Sequence, residues 1–368
     1  MKRNEIWRSY GTDYKDMTKR LLNQAGLAEL LPDRRSRIAI KPNLVTPAPA
    51  DFGGTTHPEV VAGIIEFLQE LGYHDLVIAE GSWVGDKTSE AFEYCGYNAL
   101  ADTYGVKLSD TQKVRGISRD CQGMDLSLCS CVDDWDFLIN VPVLKGHCQT
   151  HITCALKNLK GLIPNSEKRR FHTLGLHDPI AHLNAGIRQD FIVIDHICGD
   201  LSFEEGGDPV TRNCVMTALD PVLVDAYVCS LLKYRIEEVP YIGKAEALGV
   251  GSSDLSSLRL ITCEGDPYED LPQKNVLDVS YAVDEADSCS ACYGTLIPAL
   301  DRLKREDLLE KLPGQISIGQ GHRGKTGLLG VGNCTAGFTH CIKGCPPREE
   351  DIYQELKKLA EDFALHQV

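Results

Sequence analysis

The sequence predicts an α/β protein: an open, mostly parallel sheet with crossover helices, followed by a small cysteine-rich C-terminal module. Three observations carry that prediction. Short β-rich runs alternate with helical patterns up to about residue 265, the order of a parallel sheet wired by helices. One such unit is legible in full, as strand Arg37–Lys41, a helix opened by Pro58, and strand Asp75–Ala79. The tail changes character, with a Cys289-Ser-Ala-Cys292 pair, Cys334 after Gly332-Asn333, and Cys345 followed by Pro346-Pro347.

Taken in order, Arg37–Lys41 is the first clear strand and a Pro/Gly-rich loop follows it. The next helix sets Val61, Ile64, Ile65, Leu68 and Leu71 on one face, framed by Pro58 and Gly72. Further strands are expected at Phe137–Val141, Phe191–Ile194, Cys214–Ala218 and Leu258–Ile261. Helices are expected at Glu90–Tyr104, His151–Leu159, Pro179–Gln189, Pro221–Lys233 and Ile242–Leu248. Gly265–Asp287, rich in Asp, Pro and Glu, reads as a connector. Beyond it come a helix at Gly294–Arg305, a short strand at Gln315–Ile318 and a closing helix at Glu349–Phe363. The expected division is an α/β domain over 1–275, with an anion-binding crevice, and a cluster-binding module over 276–368.

Composition narrows the function classes. At 368 residues, 43% hydrophobic and 25% charged, the chain is an ordinary globular protein long enough for two domains. Its net charge of −15 argues against nucleic acid as a partner, because phosphate backbones need a basic surface. No apolar stretch is long enough to span a membrane, and MKRNEIWRSYGTDYKDM has no apolar core for a signal peptide. With 15 cysteines, the expectation is a reduced, cytoplasmic protein, and one suited to an organism that meets little oxygen.

Ligands of open parallel sheets bind beyond the carboxyl ends of the strands. Polar residues gather there: Lys41 and Asn43 after the first strand, with Thr55, Thr56 and His57 leading into the helix, then Glu80 after the second. Lys145, His147, His151, Lys157 and Lys160 follow the third, and Asp195 the fourth. Imidazoles beside lysines suit an anionic small molecule, a carboxylate or phosphate. His57, His147, His151 and Lys145 are the expected acid–base groups. Lys41, Asn43, Thr55, Thr56, Glu80, Lys157, Lys160 and Asp195 are the expected binding groups. His147 and His151 also have the i, i+4 spacing of metal ligands on a helix, and the basic residues from Lys157 to Arg170 could equally be a solvated face.

A CxxC pair brings two thiolates to one centre, and a Cys followed by Pro is a common last ligand of iron–sulfur clusters. The expectation is a 4Fe–4S cluster on Cys289, Cys292, Cys334 and Cys345, with Cys341 in reserve. Structural zinc usually shows two compact CxxC pairs, and only one is present; free buried thiols are the other alternative. Cys95, Cys121, Cys129, Cys131, Cys148, Cys154, Cys198 and Cys214 read as core thiols. Gly319–Thr326 matches GxxxxGK[ST], but the glycine-rich run behind it cannot be the helix a P-loop requires.

IKPNLV at Ile40–Val45, TTHPE at Thr55–Glu59, AEGS at Ala79–Ser82, LKGH…ALKNLKGLIP at Leu144–Pro164 and Asp220-Pro-x3-Asp225 resemble the domain-of-unknown-function family numbered three-six-two. The resemblance spans roughly residues 37–230 and implies an iron–sulfur cluster-binding protein. The GNC…GCPP tail is similar to the cluster-binding tail of some members. A fainter similarity is to the N-terminal domain of lactate racemase, whose paired-histidine pattern this sequence lacks. The expected function is an iron–sulfur oxidoreductase acting on an anionic small molecule, served by an electron-transfer protein. A non-enzymatic ferredoxin-like carrier is the alternative. A cluster-dependent dehydratase is a further one, disfavoured because four thiolates leave no open iron.

Overall fold

Three short runs, Ile38–Pro42, Leu76–Glu80 and Phe137–Val141, are buried along their whole length, the side chains of Lys41, Glu80 and Asn140 included. Continuous burial is what interior strands of a parallel sheet require, with helices on both faces. In the computed structural model, which describes residues 1–267 and 276–365, they lie side by side at the centre of an eight-stranded sheet. The chain divides into two compact units, one of Met1–Ser82, Asp86–Lys168 and Leu176–Gln273, the other of Trp83–Gly85, Arg169–Gly175 and Lys274–Val368. Residues 268–275 of the expected connector lie outside the described residues.

The strands of the first unit are β1 (Glu5–Tyr10), β2 (Ile38–Pro42), β3 (Leu76–Glu80), β4 (Lys107–Asp110), β5 (Phe137–Val141), β6 (Phe191–Asp200), β7 (Pro209–Ala218) and β8 (Arg259–Glu264). Their order is β8-β1-β7-β6-β5-β2-β3-β4. The run from β6 to β4 is parallel, with Ile38 opposite Leu76 and Lys41 opposite Asn140. β7 is antiparallel to both β6 and β1, so the sheet is mixed. β6 and β7 run well past the expected Phe191–Ile194 and Cys214–Ala218, and their register shifts between His196 and Cys198.

The helix Pro58–Glu70 starts on Pro58 and buries Val60, Val61, Ile64, Ile65, Phe67 and Leu68. Each such side chain contributes about 1.5–3 kcal/mol when fully buried. Its Gly63 meets the helix Tyr14–Ala25, where a Cβ would sit 2.5 Å from the Lys15 carbonyl oxygen.

Two expectations are corrected. Glu90–Tyr104 is not one helix but two, Thr88–Tyr94 and Tyr97–Tyr104, because Gly96 adopts a left-handed φ of 79° that breaks the turn. His151–Leu159 is not one helix either. His151 has φ +63°, and residues 145–147 pair with 151–153 as an antiparallel hairpin, followed by the short helix Ala155–Asn158. The buried Asp225 carboxylate caps that helix, accepting from Ala155 N (2.8 Å) and Leu156 N (3.2 Å), and burial pushes it up to about 7.

In the second unit β9 (Val283–Glu285), β10 (Ile316–Ile318), β11 (Leu329–Val331) and β12 (His340–Ile342) form a parallel sheet in that order, accompanied by helices Ser290–Arg305 and Glu349–Leu365. The chain after Gly319–Thr326 runs into β11, so the helix that would cradle phosphates is replaced by a strand. Among the described residues no helix is long and apolar enough to cross a membrane.

Candidate functional site

The ends of β2, β3, β5 and β6 carry the expected polar residues, and the fold sorts them into three groups. In the first, Lys41 Nζ donates to Glu80 Oε2 (2.7 Å), the Pro42 carbonyl (2.7 Å) and Asn158 Oδ1 (3.1 Å). Glu80 also accepts from the backbone N–H of Leu44 (3.0 Å) and Gly81 (2.6 Å). Asn158 passes the chain on to Asn140, and Asn140 to Gln189. A Cβ on Gly161 would collide with Glu80 Oε1 and Lys41 Nζ, so this pair is sealed on that side by a glycine. Burial pushes the Lys41 ammonium below its usual value, against the pull of Glu80. Lys168, which the sequence left on a possible solvated face, is buried instead. It donates to the carbonyls of Gly81 (2.9 Å) and Ser82 (2.7 Å), with burial drawing it down to about 8.

The second group surrounds Glu204. His147 Nδ1 accepts from the N–H groups of Gln149 (3.0 Å) and Thr150 (3.2 Å). That assignment leaves Nε2–H to donate to Glu204 Oε2. Lys157 Nζ lies 3.7 Å from the same oxygen, positioned by Thr153 Oγ1 at 3.4 Å. Lys145 Nζ donates to the carbonyls of Gly54 and Glu204 and to Asn43 Oδ1 (3.4 Å). Burial lowers Lys145 to about 7 in spite of Glu204, and lowers Lys157 as well. Cys148 Sγ completes a group with His147 and Glu204 whose donor atoms all lie within 4.8 Å of one another.

The third group is built on His57, the N-cap of the helix that starts at Pro58. Its Nδ1 (2.8 Å) and its backbone N–H (2.7 Å) both face Asp195 Oδ2. Burial alone would push the imidazole down, but the Asp195 carboxylate outweighs it and holds the ring protonated, up at about 11. Nε2 points to Cys198 Sγ at 3.9 Å and Asp51 Oδ1 at 3.5 Å. In a regular strand Asp195 and Cys198, an odd number of residues apart, face opposite sides; the bulge between His196 and Cys198 lets both reach one ring.

The remaining expected residues are placed elsewhere. His151, the hairpin partner of His147, packs against Tyr234 with ring centres 4.8 Å apart and planes tilted by 35°. Thr55 Oγ1 donates to the Ala48 carbonyl (2.9 Å) and Thr56 Oγ1 to that of Val141 (2.8 Å), so both hold the loop. Lys160 is half-buried on the 3-10 turn Leu159–Leu162. Asp51 and Glu204 are not among the residues the sequence singles out, and Cys198 reads there only as a core thiol. The Glu204-Glu205-Gly206-Gly207 step and a Cys three residues after Asp195 were the available signals.

In the second unit Cys289 is the N-cap of helix Ser290–Arg305 and Cys292 lies in its first turn. His172 Nε2 accepts from Ser290 N (3.3 Å) at the same helix end. A Cβ on Gly332 would sit 3.6 Å from Cys292 Sγ, which brings the Cys334 turn beside the CxxC pair. Asn333 then clamps the Cys345 loop: its N–H donates to the Gly344 carbonyl (2.9 Å) and its Oδ1 accepts from Gly344 N (3.0 Å). Burial, then the neighbouring sulfurs of Cys289, Cys345 and Cys334, push the Cys292 thiol up to about 12. Arg323 hydrogen-bonds Cys334 and feels Cys289 and Cys345 as well. Cys341 Sγ is engaged with the Gly332 carbonyl and Thr335 Oγ1, both at 3.6 Å.

Fold and sites together define a mixed α/β protein with cysteine and histidine groups able to hold a metal. The chain belongs to the family described as Domain of unknown function (DUF362), which it matches over residues 38–230, more than half its length. It is 26% identical over 225 residues to a thylakoid-associated protein of Synechocystis sp., covering 58% of this chain and 68% of that one. Among solved structures it is similar to the lactate racemase apoprotein from Thermoanaerobacterium thermosaccharolyticum, with a TM-score of 0.42 and 14% identity over 61% of this chain and 56% of that one.

Proposed function

We propose that the protein is a cytoplasmic iron–sulfur oxidoreductase whose second unit holds a 4Fe–4S cluster on Cys289, Cys292, Cys334 and Cys345. One observation carries this reading: three separate segments bring four sulfurs into one neighbourhood, tied by the Asn333–Gly344 clamp. The donor set fits the group, since four thiolates are the common ligand complement of a cubane. When bound, the cluster supplies one-electron transfer. Arg323 offsets thiolate charge, and the N-terminus of helix Ser290–Arg305 presents its positive end to the pair Cys289 and Cys292. The protein purified without oxygen should show cluster absorption that Cys334→Ser or Cys345→Ser abolishes and Cys341→Ser preserves. Retention of full absorption in Cys345→Ser would end the assignment.

The anionic substrate belongs to the Glu204 group in this reading. His147, Lys157 and Lys145 surround a carboxylate that belongs to the protein itself. A substrate carboxylate or phosphate would take the same donors once the Glu204 loop withdraws, with His147 Nε2 moving the proton. A specific observation favours a second reading, a cluster carrier without chemistry of its own: Lys41, Lys145 and Lys168 each already hold protein oxygens. Calorimetry with phosphate and with small carboxylates separates the two. Binding lost in Lys145→Met supports the enzyme, and no binding to wild type supports the carrier.

A further inference from the structure

The Asp51, His57 and Cys198 group has a use that electron transfer does not require. Its three donor atoms come from three segments: the turn Ala50–Phe52, the N-cap of helix Pro58–Glu70, and β6 at its bulge. His57 Nε2 stands 3.5 Å from Asp51 Oδ1 and 3.9 Å from Cys198 Sγ, and all three atoms lie within 4.8 Å of one another. A tetrahedral zinc ion with ordinary bond lengths sets its nitrogen and oxygen ligands about 3.4 Å apart and its nitrogen and sulfur ligands about 3.6 Å apart. The existing spacings are within a few tenths of an ångström of those edges.

Orientation agrees with spacing. The fully buried Asp195 carboxylate takes both the Nδ1 side and the backbone N–H of His57, which fixes the ring and directs Nε2 at the other two donors. Metal-bound histidines are held in this way, the far nitrogen donating to a carboxylate that orients the ring and raises its basicity. Charge also agrees, because the carboxylates of Asp51 and Asp195 flank the ring on its two sides and favour a cation. The Glu204 group, which has a similar set of donor types, carries the ammonium groups of Lys145 and Lys157 beside it and so favours an anion.

We propose that Asp51, His57 and Cys198 form a three-ligand site for a divalent transition metal of the zinc class, with Asp195 as its orienting carboxylate. Asp51 has a side-chain exposure of 93%, so it closes over the ion from the solvent side. A fourth position stays available to water or to an oxygen of a ligand, the arrangement of open rather than structural zinc sites. On binding, the ion replaces the protons that Nε2 and Sγ carry without it, while Nδ1–H stays on Asp195. The site belongs to the first unit, and the thiols of Cys289, Cys292, Cys334 and Cys345 to the second.

The test is metal binding to the full chain, prepared without oxygen and with whatever cluster it carries in place. Zinc affinity is read by competition with a chromogenic chelator. Cobalt(II) is added in parallel to read thiolate-to-cobalt charge transfer as a difference spectrum. The expected result is one added metal per chain with a thiolate band. Cys198→Ser removes the band, and Cys341→Ser, which leaves both ligand sets intact, keeps it. Asp195→Asn weakens zinc about 10–100-fold, as loss of an outer-shell partner does. Asp51→Asn, at a side chain that is 93% exposed, weakens it at least tenfold. Equal zinc affinity in wild type, Cys198→Ser and Asp51→Asn overturns the proposal. So does a cobalt thiolate band that Cys198→Ser leaves unchanged.

Discussion

Lys41 and Glu80 face each other at 2.7 Å with side-chain exposures of 1% and 3%, so neither can turn to water if its partner is lost. Removing one charge of such a pair costs about 3–5 kcal/mol, because the other stays buried and uncompensated. Lys41→Met should therefore lower unfolding free energy by about that amount, and Lys41→Met with Glu80→Gln should recover most of it. Denaturant titration decides this, and a single-variant cost below about 1 kcal/mol would contradict the geometry. Lys145 gives the pH dependence. Burial lowers it from 10.5 to about 7, so between those values the unfolded chain holds more protons than the folded one. Its contribution to stability is present above the unfolded value and is lost as pH falls through about 7. Phosphate or carboxylate binding at the same ammonium has the opposite slope. It should tighten as pH falls through 7 and flatten in Lys145→Met.

Elements show why part of the fold was legible and part was not. β2, β3 and β5 are buried throughout and apolar but for Lys41, Glu80 and Asn140, the pattern of central strands, so the expected spans lie within a residue or so of the observed ones. The same holds for the Pro58 helix, framed by proline and an apolar stripe. The segment from Lys145 to Asn158 departs from its sequence pattern for a physical reason. The i, i+4 spacings of His147 with His151 and of Thr153 with Lys157 imitate helical neighbours, while the left-handed His151 and a cap supplied by the distant Asp225 make it a hairpin and one short turn. Nothing local encodes a cap that comes from residue 225. Individual groups suffered likewise, since Glu204 and Cys198 act only once β6 and its bulge deliver them. Packing between elements yields its own prediction. Gly→Ala inside a helix ordinarily stabilises by about 0.5–1 kcal/mol. At Gly63 the new methyl would press on the Lys15 carbonyl, so Gly63→Ala should destabilise by about 1–3 kcal/mol. A thermal melt that rises in this variant would show that the two helices do not meet as described.

At the scale of the molecule, the chain combines two kinds of construction. One unit buries its charges in pairs and cages at the strand ends, and the other gathers sulfur in short loops around small parallel strands. The sequence made the second kind easier to read, because Cys289, Cys292, Cys334 and Cys345 stand out without any knowledge of packing. The first kind leaves no local mark, since a lysine at a strand end looks the same whether it awaits a ligand or holds a neighbour's carbonyl. The cluster is the central claim. Its most direct test is iron and acid-labile sulfide counted on protein purified without oxygen, with EPR before and after dithionite. About four of each per chain, and a signal that appears on reduction, is the expected result. A zinc-loaded chain free of labile sulfide and silent in EPR would contradict it.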